Sequence, residues 1–297
     1  MRETTGEKLF RVVNSIIMIL ICVATLYPYL NQLAISLNDG MDSMRGGITI
    51  WPREFTLENY KAVLNNSDFS SAFLLSVSRV IIATLVSLTV VYSCAYGLTR
   101  KNVPYRRGIT FFLMIPSYIS AGVIPIYILY GKIHMINNYL VYILPTAFVF
   151  YNMVIIRSFL QELPESIEES AQIDGANDIQ IMFKIIVPLC GPVIATVALW
   201  TSVAAWNDWT TTLMYVTRKE LFPLQYFMMR LIKESETAKQ MALEASMNKG
   251  VAVSSSEPTS ESVKSATLIV STLPIILVYP FLQKYFIKGV ALGAVKG

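Results

Sequence analysis

The chain has 297 residues, 54% of them hydrophobic and 15% charged, with a mean hydropathy of +0.51 and a formal net charge of +4. That balance lies far from the average of soluble domains and points to a membrane. Three cysteines without a CxxC pair, a single histidine (His134) and a small net charge exclude a disulfide scaffold or zinc spacing and give no reason to invoke nucleic acid.

A helix needs roughly 20 mainly apolar residues to cross a ~30 Å hydrocarbon layer. After a polar start carrying Arg2, Glu3, Glu7, Lys8 and Arg11, no charge occurs before Asp39, which predicts a first span over 12–37. This run is longer than the roughly 7–15 residues of a signal-peptide core, and Tyr27-Pro28-Tyr29 is a poor cleavage site, so the span is read as retained. Residues 38–68 then form an external connection. A second span over 69–99 is interrupted only by Arg79. The loop that follows holds Arg100, Lys101, Arg106 and Arg107, a density of positive charge expected on the cytoplasmic side.

A third span is predicted over 108–131 and a fourth over 138–160, with His134 in the short loop between them. A connection over 161–187 leads to a fifth span over 188–214, which carries Asp208. The longest connection, 215–264, is placed outside; apolar residues at helical spacing predict a helix over Leu224 to Met247, and VAVSSSEPTSE reads as a polar loop. A sixth span over 265–284 leaves a basic tail inside. The predicted fold class is all-α: one domain of six transmembrane helices over 1–297, with both termini cytoplasmic. Cys22, Cys94 and Cys190 fall in or beside apolar spans, where packing is their expected role.

The connection between the fourth and fifth spans departs from the positive-inside tendency. From Gln161 to Leu189 it holds six acids (Glu162, Glu165, Glu168, Glu169, Asp174, Asp178) against one base, Lys184. An amphipathic helix lying on a lipid surface prefers Lys and Arg on its polar face, so this segment reads as a docking surface for another protein. Pro164 suits a first helical turn, and the glutamates behind it sit where the helix dipole favours negative charge. Gly175 suits a left-handed C-terminal stop, and Asn177 or Asp178 suits the cap of a following helix.

Here the sequence resembles the integral-membrane permeases of ATP-binding-cassette importers. Their motif reads Glu-Ala-Ala, three residues, Gly, nine residues, Ile, any residue, Leu-Pro. The matching positions are Glu169, Ser170, Ala171, Gly175, Ile185, Val187 and Pro188, with Ser170 in place of the first alanine and Val187 in place of the leucine. Asp174-Gly175-Ala176, AYGLTR at Ala95 to Arg100, WND at Trp206 to Asp208 and the ending QKYFIKGVALGAVKG resemble the carbohydrate-uptake branch.

The resemblance implies a pore subunit in the bacterial cytoplasmic membrane whose coupling helix, with Glu168, Glu169, Ser170, Ala171, Asp174, Gly175, Ala176 and Pro188, fits a cleft of a separate ATPase. It also implies two such ATPases binding ATP and Mg, a second and different permease, and an extracytoplasmic solute-binding protein. No GxxxxGK[ST] loop occurs, so this chain is expected to be no enzyme and to bind no cofactor or metal itself. The implied cargo is sugar oligomers, acidic ones among them.

Arg79 and Asp208 are ionisable residues within spans. Such groups either line a pore or snorkel and pair locally. Tyr151, Trp206 and Asn207 join them as candidates for the substrate path, with the aromatic belt as the competing role of the rings. A secondary transporter would show two related halves and intramembrane carboxylates. Asp208 is the only carboxylate placed within a span and no clear repeat is visible; a membrane enzyme would need a catalytic constellation, which is not visible either. A permease for a non-sugar solute remains the nearest alternative.

Overall fold

The computed structural model describes residues 5–249 and 260–294. Regular structure among them is helical, apart from an isolated bridge between Asn38 and Phe55. The longer helices are α1 (Thr5–Ser36), α2 (Ser67–Thr99), α3 (Arg106–Tyr118), α4 (Val123–Lys132), α5 (Phe150–Glu162), α6 (Ser166–Ile173), α7 (Gly191–Asn207), α8 (Thr210–Tyr215), α9 (Leu224–Lys249) and α10 (Ser260–Ala294). The chain divides into two compact units, one from Met1–Ser70 and Phe227–Leu273, the other from Ser71–Tyr226 and Pro274–Gly297.

Among the described residues three helices are long and apolar enough to cross a membrane, within α1, α2 and α10. Of the six predicted spans, the other three are not single straight helices. The stretch 108–131 divides into α3 and α4, bent by 112°. Pro116 lies inside α3, and Gly122, at φ +84°, opens α4 in a conformation that disfavours side chains. The fifth span begins with a bend of 82° between residues 178–189 and α7, and ends at Asn207, with Asp208 and Trp209 separating α7 from α8.

The stretch 138–160 is not one helix. It contains a 3-10 turn at Tyr139–Tyr142, an irregular segment around Pro145, and then α5, whose 13 residues rise only about 20 Å at ~1.5 Å each. A residue before proline is biased away from helical geometry, which disfavours a continuous helix through Leu144-Pro145, and Tyr142 is held elsewhere: its hydroxyl lies 2.7 Å from the Leu221 carbonyl and 2.9 Å from the Thr212 hydroxyl. The predicted helix over Leu224 to Met247 forms as α9. Most of VAVSSSEPTSE lies outside the described residues, as do the side chains of the basic tail.

In the first unit, α1 buries none of its most apolar window, so its surface requires lipid or another helix as a neighbour. The segment after it is fastened by polar groups. Asn38 is fully buried; its side-chain Oδ1 accepts from the Arg53 and Glu54 amides at 2.7 and 2.8 Å, and its side-chain Nδ2 donates to Asp42 and Ser43. Asn59 donates to the carbonyls of Ser36 and Asn38. The Asn38 amide first, and Arg53 beside it, hold the Asp42 carboxyl below the usual carboxylate range.

The core of the second unit joins α2, α5, α6 and the start of α7. Tyr92, Ala95 and Tyr96 from α2 meet Met153, Ile156 and Leu160 from α5, at the i, i+3, i+4 and i+7 spacing of one helical face. Ala171 of α6 and Ile181, Ile186, Val193 and Val197 belong to the same cluster. The acidic segment is therefore seated on the core by its apolar side.

Candidate functional site

Two features of the second unit carry functional geometry. The first is the segment from Pro164 to Pro188. Its helix α6 opens with the Glu168 and Glu169 amides bonded to the Glu165 carbonyl at 3.0 and 3.1 Å. At the other end, the Ala176 amide reaches back to the Ala171 carbonyl and the Gly175 amide to the Gln172 carbonyl, both at 3.0 Å. With Gly175 at φ +83°, this is a Schellman stop, and Ala176 packs on the same cluster as the buried Ala171. Asn177 then caps the next turn in a reciprocal box with Gln180, at 2.9 and 3.1 Å.

The chain continues as a π-helical turn over Ile181–Ile186, where the Val187 amide bonds to the Met182 carbonyl. Pro188 accounts for this widening, because it has no N–H to donate and its ring crowds the carbonyl four residues back. The Tyr92 hydroxyl donates to the same Met182 carbonyl at 3.0 Å and ties the turn to α2.

The acids divide into two groups. Glu168 pairs with Arg100, whose guanidinium also lies 4.3 Å over the Tyr96 ring, and Glu165 pairs with Lys101 at 2.6 Å. The basic loop is thus a clamp for the acidic one, which sequence reasoning missed because 64 and 68 residues separate the partners. Glu169, Ser170 and Asp174 remain exposed. Beside them Ile173 and Ile179 stand 86% and 68% exposed on either side of Gly175. An outward apolar pair on an acidic, doubly capped loop suits a protein partner.

The second feature is a cavity of about 530 Å³ among α2, α5 and α7. Arg79, 2% exposed, donates from Nη2 to the carbonyls of Ala205 and Asp208 at 2.7 and 2.6 Å, and so closes the C-terminal end of α7. Its Nη1 is 3.7 Å from an Asp208 carboxylate oxygen, and its guanidinium lies 4.9 Å over the Tyr142 ring. Tyr151 and Trp200 stack on the cavity wall at 6.0 Å and 25°.

The structure brings Arg79, Tyr151 and Asp208 to this cavity, but not Trp206 or Asn207. Trp206 is buried edge-on against Phe73, and the Asn207 amide folds back on the Val203 carbonyl at 3.0 Å. Both line a different, apolar cavity of about 740 Å³ with Pro274 and Val278. At roughly 100° per residue, Trp206 lies about 240° round the helix from Trp200, on another face. Sequence reasoning missed Trp200, Asn152 and Thr201; the helical period through Trp200, Ala204 and Asp208 is the signal that points to the cavity-lining face.

A helical chain with several apolar spans and a capped acidic loop fits an integral-membrane protein. It belongs to the family of binding-protein-dependent transport system inner membrane components, matched over residues 93–292. The chain is 34% identical to the polygalacturonan/rhamnogalacturonan transport system permease protein YtcP of Bacillus subtilis, over 94% of each chain. It is 32% identical to Protein LplC of the same organism, over 100% of this chain and 98% of that one. A solved bacterial ABC transporter involved in importing the acidic polysaccharide alginate contains a chain that superposes with a TM-score of 0.84 at 25% identity, covering 96% of this chain and 99% of that one.

Proposed function

We propose that this chain is a pore-forming permease subunit of an ATP-driven importer in the bacterial cytoplasmic membrane, carrying sugar oligomers handed over by an extracytoplasmic solute-binding protein. It works beside a second, different permease. Two separate ATPase subunits bind ATP and Mg, and this chain does no chemistry of its own. Both termini and the Pro164–Pro188 segment face the cytoplasm, and the bent helix pairs, with α5 and its preceding turns, complete a six-pass arrangement.

The observation that carries this reading is the exposed pair Ile173 and Ile179 on a segment rigidified at both ends and clamped to α2 through Arg100. A partner gripping that pair moves α2 and α5 with it, because α6 shares their core. The relatives support a saccharide cargo: YtcP is named for polygalacturonan and rhamnogalacturonan transport, and AraQ of Halalkalibacterium halodurans, 26% identical, for arabinooligosaccharides.

Affinity co-purification tests the reading. The wild-type complex retains its ATPase subunits, and Ile173→Asp with Ile179→Asp reduces their recovery at least tenfold, while recovery of the second permease is unchanged. Equal ATPase recovery refutes the docking role. ATP-independent uptake driven by an ion gradient would favour a secondary transporter.

A further inference from the structure

We propose that the cavity among α2, α5 and α7 is a saccharide subsite selective for oligouronates, in which Arg79 meets a sugar carboxylate and the Tyr151–Trp200 pair carries the ring face. This rests on the importer reading above and adds to it a residue that sets cargo charge.

The aromatic pair supplies the first half of the argument. Tyr151 and Trp200 are 63% and 40% exposed and both line the cavity, with their rings 25° from parallel, so they offer it aromatic surface. A pyranose offers a matching face of C–H groups, with hydroxyls around its rim. Asn152 and Thr201, held to one another by a long 3.4 Å contact, stand ready to exchange it for shorter bonds to such hydroxyls. The volume lies within the ~300–1,000 Å³ typical of small-molecule sites.

Arg79 supplies the second half. A guanidinium has five N–H donors, and only Nη2 is committed here, to two main-chain carbonyls. Nε is buried without a partner, and Nη1 lies beyond hydrogen-bond reach of Asp208. Asp208 is drawn away: its Oδ1 accepts from the Thr210 hydroxyl and the Thr211 amide at 3.0 and 3.1 Å, in the first turn of α8. A buried cation with idle donors is costly, and a ligand carboxylate is the acceptor that matches it best. A neutral sugar offers those donors only uncharged oxygens, which make weaker bonds than a carboxylate.

The test is titration calorimetry on the purified permease–ATPase complex in nanodiscs, without the solute-binding protein, using tetragalacturonate and its full methyl ester. The two probes differ in carboxylate charge on one backbone. Wild type binds the acid about tenfold more tightly than the ester. Arg79→Gln binds both alike, and Tyr151→Ala weakens both by the same factor. Because Arg79 also closes α7, Arg79→Lys, which keeps charge but loses the planar fork, provides a second reading; it narrows the preference to about threefold.

Equal affinities in wild type, no binding of either probe, a preference surviving Arg79→Gln, or an unaffected Tyr151→Ala variant overturns the subsite. ATPase subunits retained in the same preparations show that such a failure leaves the importer reading standing.

Discussion

The Pro164–Pro188 segment and the Arg79 cavity are both assembled from polar groups, but they are held together over different distances along the chain. The segment is stopped, capped and widened by residues within a few positions of one another: Gly175 with Ala171 and Gln172, Asn177 with Gln180, Pro188 with the turn before it. The cavity joins Arg79 to carbonyls 126 and 129 residues away. Local bonds make a rigid handle whose shape survives movement, whereas long-range bonds make a joint whose parts belong to different helices.

Substitutions separate the two. Arg79→Leu has the largest expected effect, because it strips the donor from two main-chain carbonyls and leaves the Asp208 carboxylate beside an apolar side chain. The cost is about 2–4 kcal/mol, below that of breaking a fully buried pair, since the Asp208 side chain keeps 26% of its exposure. Thermal unfolding of the reconstituted complex reads it as a global loss.

Gly175→Ala comes next, and its effect is local. A Cβ there meets nothing within 4 Å, so the cost is that of a left-handed backbone alone, about 1–2 kcal/mol. Hydrogen exchange at the Gly175 and Ala176 amides accelerates about tenfold, with little change in the unfolding temperature.

Asp208→Asn is the mildest, about 0.5–1 kcal/mol, because the carboxylate stands farther from Arg79 than a hydrogen bond reaches and the main-chain carbonyl stays in place. A destabilisation as large as that of Arg79→Leu would show that the ion pair, not the capping of α7, holds the joint.

The same distinction governs what the sequence revealed. The Gly175 stop was legible and the next cap was narrowed to Asn177 or Asp178, because each follows from side-chain chemistry within one turn, whereas Pro164, expected in the first turn, lies two residues before α6. The apolar spans were legible as stretches of composition, but not as straight helices. Composition records hydropathy, while the break in 138–160 depends on where Tyr142 finds its partners, Thr212 and Leu221. Arg79 and Asp208 stand out in the sequence through the cost of charge among apolar residues, and they do meet. Trp206 and Asn207 stand out by residue type alone and point to a different cavity. The pairing of Arg100 with Glu168 left no trace in either loop, since each charge is equally at home in water.

The central claim is that the tip of the acidic segment is a cytoplasmic handle held by an ATPase, and cysteine crosslinking at Ile173 tests it most directly. In a chain with Cys22, Cys94 and Cys190 replaced, Ile173→Cys is expected to crosslink to an ATPase subunit in native membranes and to resist a membrane-impermeant thiol reagent added to intact cells. Labelling from outside the cell, or no crosslink to any ATPase, would contradict it.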